Sequence, residues 1–217
     1  MIERKIIKLK KDELKTKEFI KGHIGKGKLS SIRIEKTPVG ERIIIVTSKP
    51  GAVIGRRGEN ITDLTDVLRK KFGLQNPKLE ISEVEKPEFD AQNIADQIAM
   101  ALENFGTNSF KIVSYKFLEK VKQAGALGCE FILSGKLPGE KARSWRFTFG
   151  YLKKTGDTAN LVNKAQAVAN TKPGVTGIQV AILPGGTRIP DRIHVPTNED
   201  IKVEEIKVEE VKAEETK

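Results

Sequence analysis

The sequence predicts an α+β protein in two parts: a three-stranded sheet with helices on one face, then a second α+β domain whose sheet packs on helices. Three observations carry this prediction. The β-branched run Ile43 to Val46 reads as a buried strand. Ile61, Leu64, Leu68 and Phe72 recur at spacings of three and four, the signature of one helix face. Beyond residue 125 the pattern turns strand-rich, after two further helical stretches.

Taken in order, Lys8 to Lys21 is a lysine-rich helix candidate with Leu14 and Phe19/Ile20 inward. A basic amphipathic helix can lie on a membrane, but this apolar face is thin, and packing on a small sheet with lysines toward RNA is the reading adopted. Gly22 to Lys28 nearly matches a phosphate-binding P-loop. It fails because Leu29 stands where a hydroxyl is needed and because a strand should precede the loop. It is read as a helix stop and a basic connector. Ser30 to Lys36 alternates as a strand, Thr37 to Gly40 turns the chain, and Arg42 to Thr47 returns it. Lys49-Pro50-Gly51 ends that strand, since proline cannot donate to a ladder. Lys78 to Val84 alternates again, so two strands precede and one follows the segment between.

That segment holds Gly55-Arg56-Arg57-Gly58 at the mouth of a helix. Glycine permits positive φ and close backbone approach. The first turn of the helix offers N–H groups without internal partners, an arrangement suited to phosphate. Arg56 and Arg57 add forked donors at the same point. A solvated turn between helices would share the Gly-x-x-Gly spacing, which is common. The wider stretch Val53 to Ile61, with a strand before and an amphipathic helix after, resembles KH domains, whose GXXG loop clamps a run of nucleic-acid backbone. Two strands ahead of the loop match the type II arrangement.

Glu85-Lys86-Pro87 marks a boundary, giving domains over 1–88 and 89–197 and a charged tail over 198–217. A helix begins near Asp90 with Ile94, Ile98, Ala101/Leu102 and Phe105 on one face. Thr107-Asn108-Ser109 caps another running to Ala124, with Lys111, Lys116, Lys120 and Lys122. Leu127 to Ser134, Ala165 to Asn170 and Ile178 to Leu183 read as strands. Trp145, Phe147, Phe149 and Tyr151 alternate along another, and Arg146 and Thr148 occupy its other face. Interleaved aromatics can stack bases, but four on one strand face are read as core. Pro184 to Pro196 is an irregular basic segment with Arg188, Arg192 and His194. The tail repeats every five residues from Ile201, a period that fits neither helix nor strand, so disorder is expected.

The net charge of +10 points to a polyanionic partner. The tail from Glu199 carries eight acidic residues against four lysines, so the body is more basic than the average. One cysteine, Cys129, excludes an intramolecular disulfide. With His23 and His194 far apart and placed in loops, no metal-site spacing exists and no cofactor is implied. No apolar run approaches a membrane span, and the start lacks a signal-peptide core, so a cytoplasmic protein with no membrane partner is expected. Asp63 and Asp66 are read as the solvated side of the loop helix. Nothing assembles a catalytic site, and an enzyme is not expected.

Gly125 to Ser144, with the sequences GCE at Gly128 to Glu130 and SGKL at Ser134 to Leu137, resembles the signature of the family of small-subunit ribosomal proteins numbered three. Gly174 to Ile182 does so too. The similarity covers about residues 10 to 185 and is closer to archaeal and eukaryotic members. It implies a structural constituent of the small-subunit head that binds ribosomal RNA beside the channel through which mRNA enters, with the proteins numbered ten and fourteen as neighbours. The RNA-binding residues so implied are Lys49, Gly55, Arg56, Arg57 and Gly58 at the loop, then Lys111, Lys116, Arg143, Arg146, Arg188 and Arg192. Bacterial members carry an arginine cluster that helps unwind mRNA at the helix corresponding to Ser109–Ala124. Here Lys111 and Lys116 are retained without the arginine pair. A free KH regulator of single-stranded RNA is the alternative, and the second domain argues against it.

Overall fold

The structure is a computed structural model that describes residues 2–37, 40–74, 76–187, 189 and 190. Arg188, Arg192, His194 and the repeats of the tail lie outside the described residues.

The first helix, α1 (Ile2–Ile24), is longer than its predicted span. Leu14, expected inward, is 56% exposed, and Thr16 and Ile20 take the buried face instead. Threonine can do this because its hydroxyl donates to the Asp12 carbonyl at 2.8 Å, so no polar group is stranded. His23 lies in the last turn of α1 beside the Phe19 ring, not in a loop.

Strands β1 (Leu29–Thr37) and β2 (Gly40–Thr47) pair antiparallel, with Ile34 opposite Ile43. Strand β3 (Lys78–Glu83) then pairs parallel to β2, with Ile81 opposite Ile45. A parallel pair needs a crossover. Here it consists of α2 (Pro50–Ile54), a single 3-10 turn (Arg56–Gly58) and α3 (Glu59–Phe72). The GXXG loop therefore stands beyond the carboxyl end of β2. The run Ile43 to Val46 is not buried throughout: Ile43 and Ile45 are, whereas Ile44 and Val46 are half-buried. Helices cover only one face of this sheet, so only alternate residues gain shelter. Ile20, Leu29, Val53, Leu64 and Leu68 complete the core beneath it.

The second sheet has the order β5-β4-β7-β6 and is antiparallel throughout. Its strands are β4 (Gly128–Gly135), β5 (Arg143–Gly150), β6 (Asn163–Thr171) and β7 (Gly174–Leu183). Helices α4 (Ala91–Phe105) and α5 (Phe110–Gln123) precede it and pack on one face. Asp90 caps α4 by accepting from Gln92 N–H at 3.2 Å. Ile94, Ile98 and Leu102 point inward as expected, but Phe105 is 73% exposed in the final turn. Ser109 makes no side-chain cap. Thr107–Ser109 forms a 3-10 turn instead, and the Ser109 N–H reaches the Gly106 carbonyl. Of the four aromatics, Phe147 is buried and Trp145 and Phe149 pack on the core. Tyr151 lies past the strand end and is exposed.

The basic connector after α1 ties the two sheets together. Gly27 N–H donates to the Asp96 carboxylate of α4 at 3.0 Å in a buried setting. Lys26 donates to Glu103 at 2.8 Å and to the Val168 carbonyl at 3.2 Å. The lysine, with the Asn170 N–H, holds the Glu103 carboxyl below its usual range. Gly27 has φ +76° and backs onto Met100, so a Cβ there would meet both strain and a packed side chain.

Candidate nucleic-acid interface

The GXXG loop is built almost entirely from left-handed backbone. Gly55 has φ 76°, Arg57 φ 55° and Gly58 φ 82°. For Arg57 this conformation costs about 1–2 kcal/mol, and a non-glycine residue held there is a sign of function. Neighbouring side chains hold the loop in this shape. A Cβ on Gly55 would come within 2.6 Å of the Asn60 amide group, which occupies the space glycine leaves. Thr62 in the first turn of α3 donates its hydroxyl back to the Glu59 carbonyl at 2.8 Å and to the Gly58 carbonyl at 3.3 Å. Arg56 and Arg57 are exposed, and among the described residues neither has an acidic partner. Lys49 is exposed at the start of α2, its N–H anchored to the Thr47 hydroxyl at 3.1 Å.

Behind the loop lies a cleft with a floor of Ile45, Val53, Leu64, Leu79 and Ile81. His23, Lys28 and Asn60 supply its polar rim. None of these three was singled out for binding from the sequence. Asn60 had a signal, two residues past the second loop glycine. His23 and Lys28 belong to the stretch read as a basic connector, and only the folded sheet brings the end of α1 and that connector to this place.

Of the other predicted residues, those that are described do not join this surface. Lys111 and Lys116 are exposed on α5. The Lys111 ammonium lies 4.7 Å from the Trp145 ring centroid, a cation–π contact worth about 0.5–1 kcal/mol at an exposed site. Lys120 and Lys122 sit in the same way over Phe117 and Phe149. Arg143 begins β5 and is exposed; by strand alternation it shares the helix-covered side with Trp145. Arg146 is on the opposite side, and its Nε is 2.7 Å from Glu130.

Among the described residues no cluster of His, Cys, Asp and Glu could hold a metal ion. No described helix is long and apolar enough to cross a membrane. Burial pushes the Cys129 thiol up to about 11, which makes it a poor nucleophile.

Comparison with known proteins separates the chain into two matches. Residues 15–89 match the KH domain family, and residues 98–182 match the C-terminal domain of ribosomal protein S3. Archaeal relatives match nearly the whole chain. The small ribosomal subunit protein uS3 of Methanocaldococcus jannaschii is 42% identical over 93% of this chain and 97% of its own length. Those of Archaeoglobus fulgidus and Methanoregula boonei are 39% and 34% identical, over 94% and 91% of this chain and 86% and 85% of theirs. This is a family of structural ribosomal components and not of enzymes. A KH fold carrying a charged GXXG loop, joined to the S3-type second sheet and matched over more than nine-tenths of the chain by these relatives, makes the chain a member of the uS3 family of small ribosomal subunit proteins.

Proposed function

We propose that this structural constituent of the small ribosomal subunit grips ribosomal RNA through its GXXG loop, with Lys49, Arg56 and Arg57 on phosphates. Bases would then fall over the adjoining cleft. The observation that carries this is the left-handed Arg57, set between two positive-φ glycines and beside a second unpaired arginine. A loop that tolerates backbone strain to display two cations is built to meet an anion. The chain acts in the cytoplasm as part of the ribosome.

The finer assignment is a position in the subunit head, beside the channel through which mRNA enters. Proteins numbered ten and fourteen are the neighbours in this reading. Lys111 and Lys116 on α5 and Arg143 at the start of β5 form the basic side that would face mRNA. Residues 1–88 and 89–197 would serve as the two RNA-contacting domains, and Arg188 and Arg192 would extend the contacts of the second.

The decisive experiment is the double substitution Arg56→Asp, Arg57→Asp in the full chain. RNA affinity should drop sharply and its salt dependence should become shallower, because fewer counterions are released. Melting should be unchanged, since both side chains are exposed and unpaired. Wild-type affinity and salt slope in a normally folded variant would reject the loop as the grip. A photo-crosslinker at position 116, tested in ribosomes programmed with mRNA, addresses the channel assignment. Crosslinks to ribosomal RNA alone would remove it.

A further inference from the structure

The face of the second sheet that the helices leave open forms a broad trough of ≈ 700 Å³. The strand register lays out its floor in rows. One row runs Thr148, Glu130, Ala181, Lys164 across β5, β4, β7 and β6; the next runs Arg146, Ile132, Gln179, Gln166. After β5 the chain turns back, so that Lys154 reaches the same Glu130 at 3.0 Å. Glu130 is 8% exposed, yet its two partners, Arg146 and Lys154, remain 60% and 54% exposed. A single buried carboxylate thus orients two cations and leaves most of each guanidinium and ammonium group facing out. Lys153 and Lys164 line the trough as well, so cations outnumber acids among its described lining residues.

We propose that this face is a second RNA surface, shaped for the backbone of double-stranded RNA. The inference rests on the reading of the chain as an RNA-binding ribosomal protein, and it assigns a separate site with a different form of RNA. The charge balance selects a polyanion. The floor between the cations offers amides from Gln166 and Gln179, groups that pair with phosphate and 2′-hydroxyl oxygens. No aromatic side chain lines the trough, so unpaired bases find no stacking platform there. An A-form helix is recognised without one, by shape and by phosphate and 2′-hydroxyl contacts. The cations also span the sheet. Three strand intervals separate β5 from β6, roughly 14 Å at the usual spacing, which suits a wide surface better than one extended strand.

The test measures full-length protein against a blunt RNA duplex of about 16 base pairs and against an unstructured single strand. Lys154→Ala with Lys164→Ala should weaken duplex binding several-fold. The salt slope should become shallower by about 1–2 units, close to one for each lost phosphate contact. Glu130→Gln should act in the opposite direction, since it removes the carboxylate that Arg146 and Lys154 share and frees both cations. Duplex binding should tighten and its salt slope steepen. Single-strand binding should respond to neither change and should fall in the Arg56→Asp, Arg57→Asp variant. Duplex affinity unmoved by both trough variants, with the single-strand result intact, overturns the surface and leaves the GXXG reading standing. Wild-type protein that binds neither RNA overturns the RNA reading itself. Unchanged duplex binding together with lost subunit incorporation in the double lysine variant overturns the proposal in favour of an acidic protein partner.

Discussion

The two sheets are supported by very different amounts of buried side chain. Among the described residues, the core under the first sheet comprises seven buried side chains, whereas the core under the second comprises nineteen. Yet the more strained backbone, the GXXG loop, belongs to the smaller core. The difference suggests a division of labour. The second sheet is the rigid platform, and the first is a light, charged module steadied by α1, α4 and the Lys26–Gly27 connector. Small cores are marginal by themselves, so the buried bond from Gly27 to Asp96 matters more to the first sheet than to the second.

The largest effect is expected in the large core. Phe131→Ala removes a fully buried ring and should destabilise the protein by about 3–5 kcal/mol. Cys129, buried two residues away on the same face of β4, provides the readout. Its thiol should be inert to labelling in the native protein and become reactive in denaturant at the concentration where the second sheet opens. In Phe131→Ala that concentration should fall. Leu68→Ala in the small core should cost about 2–5 kcal/mol, but unfold the first sheet ahead of the second. Two resolved transitions are expected by circular dichroism, with Cys129 protected through the first. A single coincident transition would show that the cores are one cooperative unit.

A smaller effect is expected at the junction. Asp96→Ala leaves the buried Gly27 N–H without its acceptor, at a cost of about 1–3 kcal/mol. The first sheet should then become more susceptible to proteolysis while Cys129 stays protected. Asp96→Asn keeps an oxygen acceptor and should be milder. Equal protease sensitivity in wild type and Asp96→Ala would mean that the connector does not steady the first sheet.

The smallest predicted effect concerns Asp90. Burial raises its pKa above the ordinary carboxylate value, outweighing the opposing influence of the Ser30 hydroxyl and the Gln92 and Asn93 N–H groups. The stability contributed by the protonated carboxyl is complete below the unfolded value of 3.8 and is lost as pH rises through the raised folded pKa. Asparagine retains the capping oxygen without the charge. Asp90→Asn should therefore melt slightly higher than wild type at neutral pH, and the difference should vanish in acid. A constant difference across the pH series would point to the cap rather than the charge.

Much of the first sheet was legible because its signals are local. The periodicity of α3, the turn at Gly40 and the two glycines of the loop each concern residues within a few positions of one another. The alternation of β5 likewise foretold that Trp145, Phe147 and Phe149 face the core and Arg146 faces away. Where local pattern failed, side chains were misplaced by context. Phe105 has the spacing of a buried residue, but the final turn of α4 that it occupies is left uncovered, and Leu14 lies on a side of α1 turned away from Thr16 and Ile20. Spacing records which residues share a face, and carries no information about how far that face is covered.

The sequence by itself thus determined the class of fold, the type II order of elements, the charged GXXG loop and the basic character of the body, because each follows from composition or near-neighbour pattern. Only the tertiary structure decided that Lys26 and Gly27, read as a mere connector, reach α4 and β6 across the molecule. It alone decided that Arg146 and Lys154 converge on Glu130, and that His23 and Lys28 rim the cleft behind the loop. These groups come from segments far apart in the chain. Their meeting depends on strand register and helix packing, which are set by the cooperative burial of both cores rather than by any single stretch of sequence.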